Sequence, residues 1–303
     1  MTTDRLFLAS KSLTGTSFGD AFGESFFGEE SLMKGYIHQR VLPESTLDFT
    51  DDTIMSVAVF RSLENLGEIN QNFLAKVFTD NYYLDINRGY GPSMHQYFRS
   101  VENGDSWKNV SHSKFEGQGS MGNGGAMRAA AIGAYFYHDL EKVKKNAELS
   151  CEVTHANKEA IEGTKAIALA WAFAVQEKLE IIQLSQQDFI HKIQDELEDS
   201  DMKSKLNKVL YLDEKPSIEL LVKTLGNGIK MTAQDTVPLV IWMLSRYRNN
   251  FGECLWNTVS VLGDRDTTCA MVGGVSILCC DENTIPYWVK DVENWKKSKF
   301  YEH

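Results

Sequence analysis

The period of its apolar residues constrains this chain more than any other feature. Spacings of three and four recur along it, while the alternation that builds strands is scarce. In "NKEAIEGTKAIALAWAFAVQEKLE", residues Ala160, Thr164, Ile167, Ala168 and Trp171 share one helical stripe. "IMSVAVFRSLENLG" reads as a second helix, closed by Gly67. "TVPLVIWMLSRY" reads as a third, with Pro238 near its start, where a helix tolerates proline. "TTCAMVGGVSILCC" is a short apolar fourth, and "AMRAAAIGAYF" a further candidate. The charged stretch 176–223, which contains "IQDELEDSDMKSKLNK", reads as amphipathic helices on the periphery. The expectation is an all-α globule with long functional loops. No repeat or clear linker divides it, so one domain is expected over residues 1–303.

Composition narrows the function classes. A net charge of −11 argues against a broad nucleic-acid surface, which needs lysine and arginine to displace counterions. Cys151, Cys254, Cys269, Cys279 and Cys280 form no CxxC pair, as expected of reduced thiols. The N-terminus has no long apolar core of the signal-peptide kind, and "CAMVGGVSILCC" is too short to span a bilayer. A cytoplasmic protein with no membrane partner is expected.

Chemistry is concentrated at two acidic stretches. "DFTDDTIMSVAVF" crowds Asp48, Asp51 and Asp52 ahead of an apolar helix, with Thr50 and Thr53 beside them. One acid suffices to cap a helix start and meet its dipole. "LGDRDTTCAMVGG" repeats the arrangement about two hundred residues later, with Asp264, Asp266, Thr267 and Thr268. In an extended loop the two acids, two apart, face the same way. Capping accounts for part of each cluster. Crowded carboxylates near a core also need cations or hydrogen bonds to offset burial. An all-oxygen donor set favours Mg2+, Mn2+ or Ca2+ over zinc.

Three further stretches carry weaker signals. "FEGQGSMGNGGAMR" places five glycines within nine residues before a candidate helix. Such a loop suits a tight turn or the approach of backbone N–H groups to a phosphate, yet it fits neither nucleotide fingerprint. Asn123 is placed to cap the helix or to bond a ribose hydroxyl. His155, in "CEVTHANKEA", has no nucleophile motif beside it and suits a cap, a packing role or a ligand contact. "LGNGIKMTAQD" adds a second Gly-Asn-Gly.

Taken in order, "GDAFG" (19–23), "TDDT" (50–53), "GNGGAMR" (122–128), "TH" (154–155) and "GDRDTT" (263–268) resemble the signatures of the ADP-ribosylglycohydrolase family. They run from Gly19 to Thr268, in family order and with family-like spacing. The resemblance implies a compact orthogonal bundle of helices with two Mg2+ or Mn2+ ions in a cleft. It also implies hydrolysis of the glycosidic bond between ADP-ribose and an acceptor. By position, Thr50, Asp51, Asp52, Asp264, Asp266 and Thr267 match metal ligands. Gly119, Ser120, Met121, Gly122, Asn123 and Gly124 match a diphosphate and ribose loop, and Phe115 and His155 match positions lining the ligand pocket. Catalytic work would fall to Asp51, Asp52, Asp266 and Glu24. The implied partner is an ADP-ribose-bearing substrate, handled by a monomer.

The chain departs from the family pattern twice. Many relatives carry a glutamate seven residues after the aspartate of the first motif, where this chain has Phe27; Glu24, one turn earlier, is either its substitute or an ordinary helix surface residue. Leu262 stands where a second glycine is common. A non-catalytic ADP-ribose reader and a metal-dependent phosphohydrolase are the competing expectations, and the acceptor is left open.

Overall fold

The computed structural model describes residues 4–213 and 215–302, and among these it contains helices and no strand beyond one isolated antiparallel bridge, Gly122 to Thr232. In chain order the helices are α1 (Arg5–Glu24), α2 (Glu30–Gln39), α3 (Asp51–Leu66), α4 (Gln71–Leu84), α5 (Pro92–Glu102), α6 (Trp107–Ser113), α7 (Gly124–Met127), α8 (Ala130–Tyr135) and α9 (Leu140–Glu152). There follow α10 (Lys158–Lys178), α11 (Gln186–Asp195), α12 (Asp201–Leu210), α13 (Ile218–Leu225), α14 (Ala233–Tyr247), α15 (Phe251–Val259), α16 (Arg265–Cys279) and α17 (Lys299–Glu302). The all-α expectation holds.

Helix α10 is the axis of the core. Every residue from Ala166 to Val175 is buried, so the helix has no solvent face over that stretch, and it packs against α8, α9, α14 and α16. Asn157 starts it by accepting the N–H of Glu159 at 2.9 Å. Helix α3 ends as its sequence requires: Gly67 is left-handed at φ 72°, and its N–H reaches the Leu63 carbonyl at 2.9 Å. Helices α11, α12 and α13 each bury one apolar stripe and lie outside α14, the peripheral placement expected for 176–223.

Helices α1 and α16 approach each other backbone to backbone. Gly15, Gly19 and Gly23 recur every fourth residue on α1. A Cβ built on each would stand 2.4, 2.0 and 2.2 Å from the carbonyl oxygens of Gly273, Cys269 and Arg265. No side chain larger than hydrogen fits there, so the two helix backbones touch. This contact fixes the end of α1 against the start of α16 although the two lie at opposite ends of the sequence.

Two local expectations change. Pro238 lies in the second turn of α14, which begins at Ala233; the carbonyl of Gln234, deprived of its helical partner, accepts instead from Lys205 Nζ at 2.9 Å. The single helix expected after the glycine loop is two short ones, α7 and α8. Between them Arg128 is fully buried and bonds Gly124 O at 2.6 Å, Ser150 O at 2.7 Å and Thr154 Oγ1 at 2.8 Å. The guanidinium takes the carbonyl that a continuing helix would use. The five cysteines are free thiols, and among the described residues no helix is long and apolar enough to cross a membrane.

Candidate active site

The two acidic stretches meet. Helices α3 and α16 both pack on α1, and Thr267 Oγ1 donates to Asp52 Oδ2 at 3.2 Å across 215 residues of sequence. Capping employs little of these acids: Asp266 Oδ1 accepts the first-turn N–H of Thr267 at 2.8 Å. Thr50 is the N-cap of α3, accepting the Asp52 N–H at 3.4 Å, while the Asp51 N–H goes to Arg88 O at 2.7 Å. Asp264 holds the N-cap position of α16 without a side-chain cap bond. The Asp51, Asp52 and Asp264 carboxylates are therefore left for other work. Asp48, the third acid of the first stretch, is exposed outside this cluster.

Asp20 organises the assembly, and the sequence reading did not single it out. It is completely buried on α1 and accepts four hydrogen bonds: Thr50 N at 2.9 Å, Thr50 Oγ1 at 2.8 Å, Thr53 N at 3.0 Å and Thr53 Oγ1 at 2.6 Å. One carboxylate thus clamps both threonines of "TDDT". Its neighbour Gly19 lies against Cys269, so Asp20 registers α3 to α16 as well. The available signal was an acid set among small residues, in the stretch Gly15–Gly23 where α1 is almost wholly buried.

Burial and like charge act together on the acids. Burial, partly offset by the Thr53 hydroxyl and reinforced by Asp266, pushes Asp20 up to about 7. Burial and the Asp266 charge hold Asp51 and Asp52 well above the usual carboxylate range, and Asp264 is raised in the same way. Asp266 is raised chiefly by burial. Among the described residues no three Asp, Glu, His or Cys side chains close on a point as a finished metal cage. The donor set nevertheless fits a hard cation. It is all oxygen, its carboxylates form no ion pair among the described residues, and Asp52 Oδ1 is buried with no hydrogen-bond partner.

The glycine loop reaches the same acids. Asn123 does not cap α7; its amide donates to Asp264 Oδ2 at 2.6 Å and to Thr236 Oγ1 at 3.1 Å. Gly122 and Gly124 are small because His155 lies over them: a Cβ would stand 2.8 Å from Nε2 at Gly122 and 2.6 Å from Cε1 at Gly124. His155 is buried, its Nδ1 is 2.7 Å from Thr154 Oγ1, and burial with nearby Arg128 keeps it neutral. Ser120 Oγ accepts the Gly122 N–H at 3.2 Å, and Gly119 takes a left-handed turn at φ 74°. Met121 and Phe115 are exposed at the surface of this loop, Phe115 in a left-handed conformation at φ 52°.

The two departures have visible consequences. Glu24 ends α1 with an exposed side chain; partial desolvation and the Asp266 charge push it up to about 7. Phe27 lies past the helix end, its ring 5.0 Å beneath the guanidinium of Arg265. Leu262 adopts φ 59°, a left-handed backbone that glycine takes freely and that strains leucine by about 1 kcal/mol or more.

Comparison with known proteins matches the geometry. The family model described as ADP-ribosylglycohydrolase matches residues 1–302. The chain is 31% identical to ADP-ribosylhydrolase ARH3 of Gallus gallus, covering 84% of this chain and 76% of that protein. It is 29% identical to the Xenopus tropicalis protein of the same name, covering 94% and 92%. A solved structure titled ADP-ribosylglycohydrolase-related protein complex superposes with a TM-score of 0.63 at 19% identity over 96% of this chain and 93% of that one, a likeness of fold. This chain belongs to the ADP-ribosylglycohydrolase family and is a glycohydrolase enzyme.

Proposed function

We propose that the enzyme hydrolyses the glycosidic bond between ADP-ribose and an acceptor, using divalent cations held by Thr50, Asp51, Asp52, Asp264, Asp266 and Thr267. The carrying observation is the junction of two acid-rich helix starts around a buried, unpaired Asp52 Oδ1. Mg2+ or Mn2+ bound there would supply Lewis-acid polarisation and offset the crowded negative charge.

The chain's own residues have distinct tasks. Asp20 fixes Thr50 and Thr53, and Asn123 orients Asp264. The carboxylates stabilise the positive charge that develops on the reacting ribose as the bond to the acceptor breaks. Glu24, at the rim with its proton lost near pH 7, is suited to protonate the departing acceptor or to receive a proton from the attacking water. Within the loop, the N–H groups of Ser120, Met121 and Gly124 receive the diphosphate, backed by neutral His155, while those of Gly119, Gly122 and Asn123 hold the loop's own shape. Loop order then follows substrate order. Asn123 touches the acids that attend the reacting ribose, and Gly119 bonds back to Lys114 O at 2.9 Å, next to Phe115, so the adenine stacks on the Phe115 ring at the far end. The whole chain, residues 1–303, works as one domain, a cytoplasmic monomer without membrane or nucleic-acid partners.

A panel of ADP-ribosylated arginine, serine, nucleobase and O-acetyl substrates, incubated with Mg2+ or Mn2+ and read by mass spectrometry, tests this. Intact ADP-ribose released from one class supports the proposal and names the acceptor. AMP with ribose phosphate would mark a phosphohydrolase instead, and no turnover would mark a reader.

A further inference from the structure

A polar groove of about 590 Å3 lies between α5 and α6, immediately beyond Phe115, and none of the clustered acids lines it. Its walls carry hydroxyl and amide groups, among them Ser93, Ser100 and Asn109, with Tyr97 and Lys114 at the inner side. Lys114 is its only cationic lining residue and Asp105 its only acidic one. The Lys114 amine has no carboxylate partner among the described residues. It donates to Ser93 O at 3.5 Å and stands 5.3 Å over the Tyr97 ring. Burial alone lowers this amine to about 8, so a positive charge there lacks the compensation that Lys165 receives from glutamates. Lys165, for comparison, is bracketed by Glu162 at 3.0 Å and Glu148 at 3.4 Å.

We infer that this groove is an anion subsite continuing the substrate site, and that it takes a phosphoryl group carried on the adenosine ribose beyond Phe115. A phosphate presents acceptor oxygens, which suit the ammonium donor of Lys114 and the hydroxyl and amide donors of Ser93, Ser100 and Asn109. The assignment rests on the reading of Phe115 and Gly119–Gly124 as the adenosine and diphosphate end of the site. A 2′-phosphate on the adenosine ribose is the simplest group of this kind, since it adds a dianion to the sugar beside the base that stacks on Phe115.

The test is calorimetric titration of the full chain with ADP-ribose and with ADP-ribose 2′-phosphate, repeated on Lys114→Gln and Lys114→Arg. The expected result is about tenfold tighter binding of the phosphorylated ligand by the wild type, a ratio near one in Lys114→Gln, and a preserved preference in Lys114→Arg. Comparing two ligands on each variant separates charge recognition from any general effect of the substitution. ADP-ribose binding with equal affinities in the wild type would overturn this inference alone. No binding of ADP-ribose at all would overturn the reading of the site on which it rests. Inorganic phosphate serves as a third probe: Lys114-dependent phosphate binding with a ligand ratio of one would make the groove a site for free phosphate and also overturn the substrate-borne assignment.

Discussion

Glu24 stands where the chain departs from its family, and its role can be measured. As the general acid it would lose its proton as pH rises through about 7, so turnover should fall on the alkaline side. Glu24→Gln should lower kcat at least tenfold, about 1.4 kcal/mol in the barrier, remove that limb of the pH profile, and leave ADP-ribose binding in place. Full kcat in the variant would assign the chemistry to the aspartates alone. The glycines of the loop make a second residue-scale prediction. Gly122→Val and Gly124→Val should weaken ADP-ribose binding by at least about tenfold, roughly 1.4 kcal/mol, while Mg2+ binding persists. The sequence suggests that their smallness serves phosphate approach; the structure adds that a side chain would strike His155. Unchanged affinity in both variants, by calorimetry, would place the diphosphate elsewhere. The meeting of the stretches that hold Asp51, Asp52, Asp264 and Asp266 was legible in the sequence because each pair exceeds what a cap needs. Asp20 was not, because a single acid in a helix looks ordinary until Thr50 and Thr53, thirty residues on, are seen to close on it.

At the scale of elements, the site depends on the contact of α1 with α16. Gly19→Ala would put a methyl group 2.0 Å from Cys269 O. The helices must then separate, at a cost of about 1–3 kcal/mol typical of overpacking, and Asp20 would be drawn away from Thr50. Urea denaturation should show the lost stability, and Mg2+ affinity should fall in the same variant. Wild-type stability would mean that this helix pair is looser than its geometry. The helices themselves were readable where period and punctuation agree, as in α3 with its Gly67 stop and α10 with its continuous apolar run. The break between α7 and α8 was not readable. It arises when buried Arg128 takes the Gly124 carbonyl, a tertiary event with no local signal in an alanine-rich stretch. The depth of Pro238 in α14 was missed for a related reason: Lys205, far off in sequence, receives the freed Gln234 carbonyl.

For the molecule as a whole, five crowded acids link stability to pH and to cations. Asp20 is raised to about 7 and the other four are raised with it, so above about pH 4 these five acids hold more protons in the folded state than in the unfolded chain, outnumbering His155, which shifts the opposite way. Stability of the metal-free protein should therefore fall as pH rises from there through about 7. Scanning calorimetry with chelator should give a lower Tm at pH 8 than at pH 5.5, and added Mg2+ should raise Tm more at pH 8. A metal-free Tm that rises over the same interval would contradict the coupling. The central claim, that the two acidic helix starts form one cation site, is tested most directly by calorimetric titration of Mg2+ into the wild type, Asp51→Ala/Asp52→Ala and Asp264→Ala/Asp266→Ala, with circular dichroism confirming that each remains helical. The account predicts that either double substitution abolishes Mg2+ binding; wild-type affinity in either one would show that the two starts do not share a site.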